Sequence, residues 1–263
     1  MAGRDPVTAV ALTVAGSDSG GGAGVQADLK TFAALGVYGT SAITAITAQN
    51  TRGVRRIHPL PPEIVVAQIA AVREDFEVAA VKIGMLASAE IAAAVGAALR
   101  GARCVFDPVM AASSGDALAG DDFVAAARAL LPQFELVTPN IAEAAKLLGG
   151  APARDEAGMA EQGRALLALG ARAALMKGGH LDGDAVDLLV TPERVHRYAA
   201  PRIASRNLHG TGCVLSSSIS AHLALGYDLV EAVGRAKAFT RRAIENGRDL
   251  ALGHGPGPLM PSS

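Results

Sequence analysis

The sequence predicts a three-layer α/β fold with a mostly parallel central sheet covered by helices on both faces. Three observations carry that expectation. Apolar runs alternate with stretches of helical spacing from one end of the chain to the other. The apolar runs are nearly continuous, as expected for strands buried on both faces. No linker, internal repeat or change of composition interrupts the pattern, so the 263 residues read as one domain spanning 1–263.

Taken in order, residues 9–15 form an apolar run that reads as a buried strand, and residues 25–35 place apolar side chains at helical spacing. Residues 40–48 are rich in β-branched side chains and predict the second strand. A helix over 64–73, a strand over 78–83, a helix over 89–99 and a strand over 104–106 follow. Next come a helix over 123–130, a short strand at 136–137 and a helix over 141–148. A helix over 157–169 leads to a strand over 173–176. Residues 185–190 and 194–198, joined through Thr191-Pro192, predict an antiparallel pair. Two helices over 211–225 and 229–246 close the fold. The tail 253–263 is rich in Gly and Pro and is expected to be loose.

Composition excludes several classes of function. Half of the residues are hydrophobic, enough for a substantial core, while aromatics are 3% and Trp is absent, so no stacking platform for bases is visible. The net charge of −1 and the lack of a long basic block argue against nucleic acid or an anionic membrane as partner. Arg52, Arg55 and Arg56 read as a solvated loop. Two cysteines, Cys104 and Cys213, are too few for a disulfide framework or a structural zinc site. With no secretory leader pattern and no apolar stretch of about 20 residues, a cytoplasmic protein is expected.

In open α/β sheets ligands bind beyond the carboxyl ends of the strands, and the chemically suggestive motifs lie there. After the first strand, residues 15–24 contain five glycines, which allow close backbone approach to a ligand or simply a flexible turn. A dinucleotide fingerprint fits poorly, because the second strand ends on Ala48-Gln49-Asn50 with no acid for a ribose. Gln49 offers an acceptor and donors in one plane, suited to the edge of an aminopyrimidine, or it caps a turn. Asp107, in Phe106-Asp107-Pro108, points to Mg²⁺ or to a turn before proline.

Asn140 and Glu143 have capping-box spacing, and a carboxylate held there could also organise hydrated Mg²⁺. Lys177 before Gly178-Gly179 suits phosphate oxygens or a solvated turn, and His180 receives no role. Gly210-Thr211-Gly212 opening a helix at Cys213 presents consecutive N–H groups to an anion, or is a tight helix start. A thiol in that first turn is expected to have a lowered pKa. Four motifs biased towards phosphate favour phosphoryl transfer.

These motifs resemble the ribokinase-like superfamily, marked by Asn-x-x-Glu (Asn140 to Glu143) and a late Gly-x-Gly (Gly210 to Gly212). Within it the chain is similar to the hydroxymethylpyrimidine/phosphomethylpyrimidine kinases. The similarity runs in order over residues 11–245, through AGSDSGGGAGVQADLKTF, KIGML, DPVM, TPNIAEA, LMKGGH and HGTGCVLSSS. The resemblance implies an ATP- and Mg²⁺-dependent kinase of thiamine biosynthesis, usually a homodimer, acting on a small aminopyrimidine alcohol and its monophosphate. It implies that Gln49 reads the aminopyrimidine edge and that Gly16, Asp28 and Met85 line the substrate pocket. Lys177, Asn140, Gly210, Thr211 and Gly212 would contact ATP, and Asp107 and Glu143 would organise Mg²⁺.

Cys213 stands where most superfamily sugar kinases carry the aspartate base, so Cys213 and Asp28 are both candidate bases. Ser113 departs from the Lys or Thr that family members often have. Three rival readings are a pyridoxal or pyridoxine kinase, a Rossmann oxidoreductase, and a binding protein that kept the pocket.

Overall fold

The computed structural model describes residues 8–262 except 113, 114, 117, 119–121, 180 and 182. Ser113 and His180 therefore lie outside the described residues.

The strands are β1 (Val10–Asp18), β2 (Tyr38–Asn50), β3 (Gly53–Pro59), β4 (Val78–Ile83), β5 (Cys104–Phe106), β6 (Leu136–Val137), β7 (Ala174–Lys177), β8 (Ala185–Val190) and β9 (Val195–Ala200). The helices are α1 (Gly24–Ala34), α2 (Pro62–Asp75), α3 (Ala89–Ala98), α4 (Phe123–Leu130), α5 (Ile141–Leu148), α6 (Glu156–Ala168), α7 (Thr211–Ala224) and α8 (Leu229–Gly247). One sheet runs β3-β2-β1-β4-β5-β6-β7-β8-β9. Its centre from β2 to β7 is parallel, and the pairs β2·β3, β7·β8 and β8·β9 are antiparallel. This is the predicted mostly parallel sheet.

The alternation inside the strands explains the layers. Leu12 and Val14 of β1, Val81 and Ile83 of β4, and Cys104 and Phe106 of β5 belong to one core, shared with α2 to α6. Their neighbours Ala80 and Val105 belong to a second core, under α7 and α8. Successive side chains of a strand point to opposite faces, so both faces must be apolar, and each receives a helical layer.

Side-chain caps fix where four helices begin: Ser88, Asn140, Asp155 and Asp228 each accept from a backbone N–H in the first turn. Asn140 and Glu143 form the full capping box, and Gly149 at φ +70° ends α5. Helices α1 and α7 begin on Ala23 and Gly210, which provide no side-chain cap. Helices α1, α5 and α7 all start at the cleft described below, and of these three only α5 carries a side-chain cap.

Two expectations need correction. Arg55 and Arg56 are not in a loop but on the exposed edge strand β3, antiparallel to β2. Only Val54 and Ile57 of β3 pack inward, so the strand lacks the apolar signature of its neighbours. The tail from 253 is not loose. Gly257 N–H donates to Asn207 Oδ1 (3.0 Å), Met260 N–H donates to the Ala243 carbonyl (3.0 Å), and Leu259 is buried beside Phe239. Asn207, 1% exposed, also donates to the carbonyls of Gly247 and Leu250, so one amide staples the end of α8 to the tail.

Candidate active site

A cleft of about 740 Å³ opens beyond the carboxyl ends of the central strands, and most of the suggestive motifs meet in it. Gly16, Gln49, Met85, Asp107, Asn140, Glu143, Lys177, Gly210, Thr211, Gly212 and Cys213 all line it. Residue 49 and residues 210–213 therefore share one cavity.

At one end Gly16 faces Met85. A Cβ at Gly16 would stand 3.0 Å from Met85 Sδ, so the glycine lets the thioether pack directly on the end of β1. The Gln49 backbone is held on both sides by Ser19 Oγ, which donates to its carbonyl (2.7 Å) and accepts from its N–H (2.8 Å).

The glycine run is organised by Asp18, which the sequence reading missed. Its carboxylate accepts from the N–H groups of Gly20, Gly22 and Ala23. His209 Nε2 lies 2.9 Å from Asp18 Oδ2 and joins this loop to the start of α7. Burial raises the Asp18 pKa, but the His209 contact and the backbone N–H groups outweigh it, so the net shift is downward. Asp18 thus organises the loop that leads into α1, taking N–H groups that precede the helix, while the Gly24 N–H at its first residue faces the Cys213 thiol. Gly210 adopts φ +87°, and a Cβ there would fall on the Gly22 carbonyl, so this crossing of the two loops admits only glycine.

The polar centre gathers around Lys177, at the end of β7. Its Nζ donates to Asp107 Oδ1 at 2.7 Å and lies 3.8 Å from Glu143 Oε2. A Cβ on Gly212 would sit 3.2 Å from Lys177 Nζ and 3.6 Å from Asp107 Oδ2, so the ammonium lies directly beside the first turn of α7. Burial acts to lower the Lys177 pKa, but Asp107 and Glu143 overcome it and keep the amine protonated. Burial pushes Glu143 up to about 7, with Lys177 opposing and Asp107 adding to the rise. Helix α7 contributes the positive end of its dipole and the N–H groups of Gly212 and Cys213, whereas the Thr211 N–H donates to the Leu208 carbonyl (3.3 Å).

The donor set suits a hydrated Mg²⁺. Asp107 already accepts from Lys177 and Thr138, and Glu143 Oε2 accepts from the Asn140 N–H. Among the described residues there is no group of three or more His, Cys, Asp or Glu side chains that could enclose a metal. Two carboxylates without a third protein ligand fit an ion most of whose ligands are not protein side chains.

Both candidate bases change their standing. The thiol of Cys213 does not have the lowered pKa expected at a helix start. Burial pushes it up to about 11, with Lys82 opposing and Asp28 and Asp107 adding to the rise. Asp28 is fully buried and does not line the cleft. It accepts from Thr13 (2.6 Å), Ser217 (2.5 Å) and both ways from Lys82 (2.8 and 3.0 Å), so it is a wall group rather than a contact surface. Lys82, which the sequence reading passed over, carries no exposed side-chain surface yet reaches the cleft floor beside Gly84. Its signal was available: a lone lysine in the apolar strand VAAVKI must find a buried counter-charge.

The Cys213 shift predicts slow alkylation. In the free enzyme, iodoacetamide modification of Cys213, followed by peptide mass spectrometry, should rise log-linearly between about pH 7 and pH 9.5 with no plateau. Buried Cys104, raised to about 12, serves as the unreactive reference. A plateau below about pH 8 would restore a resident thiolate.

Comparison with known proteins adds the following. The family model described as phosphomethylpyrimidine kinase matches residues 18–260. A hydroxymethylpyrimidine/phosphomethylpyrimidine kinase of Rhizobium meliloti (strain 1021) is 56% identical over 257 residues, covering 96% of this chain and 97% of the relative. The crystal structure of phosphomethylpyrimidine kinase from Clostridium difficile 630 superposes with a TM-score of 0.79 at 44% identity, covering 89% of this chain and 99% of that one. An ADP complex of Bacillus subtilis pyridoxal kinase superposes with a TM-score of 0.89 at 33% identity, covering 97% of each chain.

Proposed function

The chain belongs to the phosphomethylpyrimidine kinase family, and from that membership we propose that it phosphorylates 4-amino-5-hydroxymethyl-2-methylpyrimidine and then the resulting monophosphate, in thiamine biosynthesis. It has the ribokinase-like three-layer fold and is a kinase that uses ATP. Identity to the pyrimidine kinase relative is 56%, against 33% to the pyridoxal kinase, which favours the pyrimidine alcohol over pyridoxal.

The observation that carries this reading is the cleft shared by the Gln49 amide and the uncapped start of α7. The alcohol would lie against Met85 and Gly16 with its amino edge on Gln49. Its hydroxymethyl group would then face the polyphosphate held at Gly210, Thr211 and Gly212. In-line transfer spreads charge over the equatorial oxygens of the γ-phosphoryl group, and the α7 amides and the Lys177 ammonium would take up that charge. When bound, Mg²⁺ would neutralise the phosphate tail, held through water by Asp107 and Glu143.

The hydroxyl proton leaves late in such a loose transfer, passing to an oxygen of the phosphoryl group being transferred. A neutral thiol at Cys213, beside the Lys82 ammonium, orients the hydroxyl rather than ionising it in advance. Asp28 acts one step behind, by holding Lys82.

We take residues 1–263 as one catalytic unit, acting as a cytoplasmic homodimer. No helix of the described residues is long and apolar enough to cross a membrane. Light scattering should then give a mass near twice 26.6 kDa.

The deciding experiment is an ADP-release assay with the pyrimidine alcohol, its monophosphate and pyridoxal in parallel. Release with both pyrimidines, and a lower kcat/KM for pyridoxal, is expected. No release with either pyrimidine would overturn the reading.

A further inference from the structure

Thr47 and Gln49 lie two residues apart on β2, so their side chains leave the same face of the strand. Thr47 is 3% exposed. Its Oγ1 lies 2.7 Å from the Ser17 carbonyl oxygen and 3.2 Å from Gln49 Oε1. A threonine hydroxyl has one proton, and a carbonyl can only accept. The shorter contact to Ser17 claims that proton, and what Oγ1 then offers Gln49 is a lone pair. A carboxamide meets a lone pair with its NH2 group, by a half-turn about its last torsion, which is a soft rotation. The Gln49 backbone is pinned on both sides by Ser19 Oγ, so the amide can turn over without moving the strand.

We propose that Thr47 is a specificity-determining residue: by accepting a hydrogen bond from Gln49 Nε2, it fixes the order of acceptor and donor along the amide edge that meets the substrate, and so selects a 4-aminopyrimidine over its 4-oxo counterpart. This rests on the assignment of Gln49 to the pyrimidine edge made above. The two heterocycles ask for opposite edges. The aminopyrimidine donates from its exocyclic nitrogen and accepts at the adjacent ring nitrogen. The oxo form accepts at its exocyclic oxygen and donates from the ring N–H. An unrestrained glutamine amide serves either by turning over. An amide held by Thr47 serves one, and the other must break the Thr47 contact or leave buried polar groups unmatched.

The test compares the protein with its Thr47→Val and Thr47→Ser variants. Valine keeps the shape and removes the hydroxyl, whereas serine keeps the hydroxyl. The Kd ratio of the 4-oxo to the 4-amino alcohol is measured by calorimetry, and the corresponding kcat/KM ratio by ADP release. In Thr47→Val the preference for the amino alcohol should narrow about tenfold, with Thr47→Ser keeping it within about twofold, the scale of one hydrogen bond. A purely structural role would weaken both alcohols together and leave the ratio unmoved, and an unmoved ratio in Thr47→Val overturns the proposal. Loss of the preference in Thr47→Ser as well would also overturn it. Failure of the unaltered protein to bind either alcohol would overturn the pyrimidine assignment itself, and this inference with it.

Discussion

Lys177→Ala should lower kcat by about 10²–10³, the scale for losing one group that stabilises charge developing in the transition state. The KM for the pyrimidine alcohol should change only a few-fold. The lysine is placed for this role by three neighbours. Asp107 and Glu143 hold its ammonium at 2.7 and 3.8 Å, and the bare backbone of Gly212 lets it stand beside the first turn of α7. A methyl group on Gly212 would enter that space, so the glycine and the lysine work as one device. The carboxylates also keep the amine charged against the cost of burial.

Lysine brings a compact charge, which Arg with its planar fork would not place in the same space. The measurement is steady-state turnover with a thermal melt alongside, because the substitution also leaves two buried carboxylates facing each other. A folded variant with normal turnover would show that the α7 amides suffice and that Lys177 is a bystander.

Much of this site was legible in the sequence because its parts follow strands. Gln49, Asp107, Asn140 and Lys177 each end or follow a parallel strand, and any apolar run followed by such a residue points to the same crevice. Spacing also gave the Asn140–Glu143 box, which forms as expected. What sequence could not supply was pairing across the fold. Asp18 meets His209 from 191 residues away, and Lys82 meets Asp28 across 54. Neither separation has a local pattern.

The thiol of Cys213 illustrates the same limit. A helix start argues for a lowered pKa, yet burial and two nearby carboxylates outweigh it, and those carboxylates are distant in sequence. The edge strand β3 and the tail escaped for a simpler reason. Both are held by backbone and amide hydrogen bonds to other elements rather than by an apolar run of their own.

Lys82→Met should destabilise the folded protein by about 3–5 kcal/mol, the cost of leaving one member of a buried ion pair without its partner. At about 2–4 °C per kcal/mol for a chain of this size, the melting temperature should drop by roughly 10 °C. Both side chains are fully buried, so water cannot take over the solvation of Asp28. Thr13 and Ser217 each donate one hydrogen bond to it, and neither brings a charge.

The pair as such need not be stabilising, since a matched neutral replacement of both members is often neutral. The double variant Lys82→Met/Asp28→Asn should therefore recover most of the loss, because asparagine can still accept from Thr13 or Ser217. A double-mutant cycle by urea unfolding reads that coupling directly. The four elements joined here are β1 through Thr13, α1 through Asp28, β4 through Lys82 and α7 through Ser217. If α7 holds the phosphate tail as proposed above, the double variant should fold well but transfer phosphate more slowly, as a neutral pair positions that helix less firmly than an ionic one. A Lys82→Met single variant within about 1 kcal/mol of the parent would mean that the Lys82–Asp28 pair contributes little to the fold, and the network would then act as a set of ordinary hydrogen bonds.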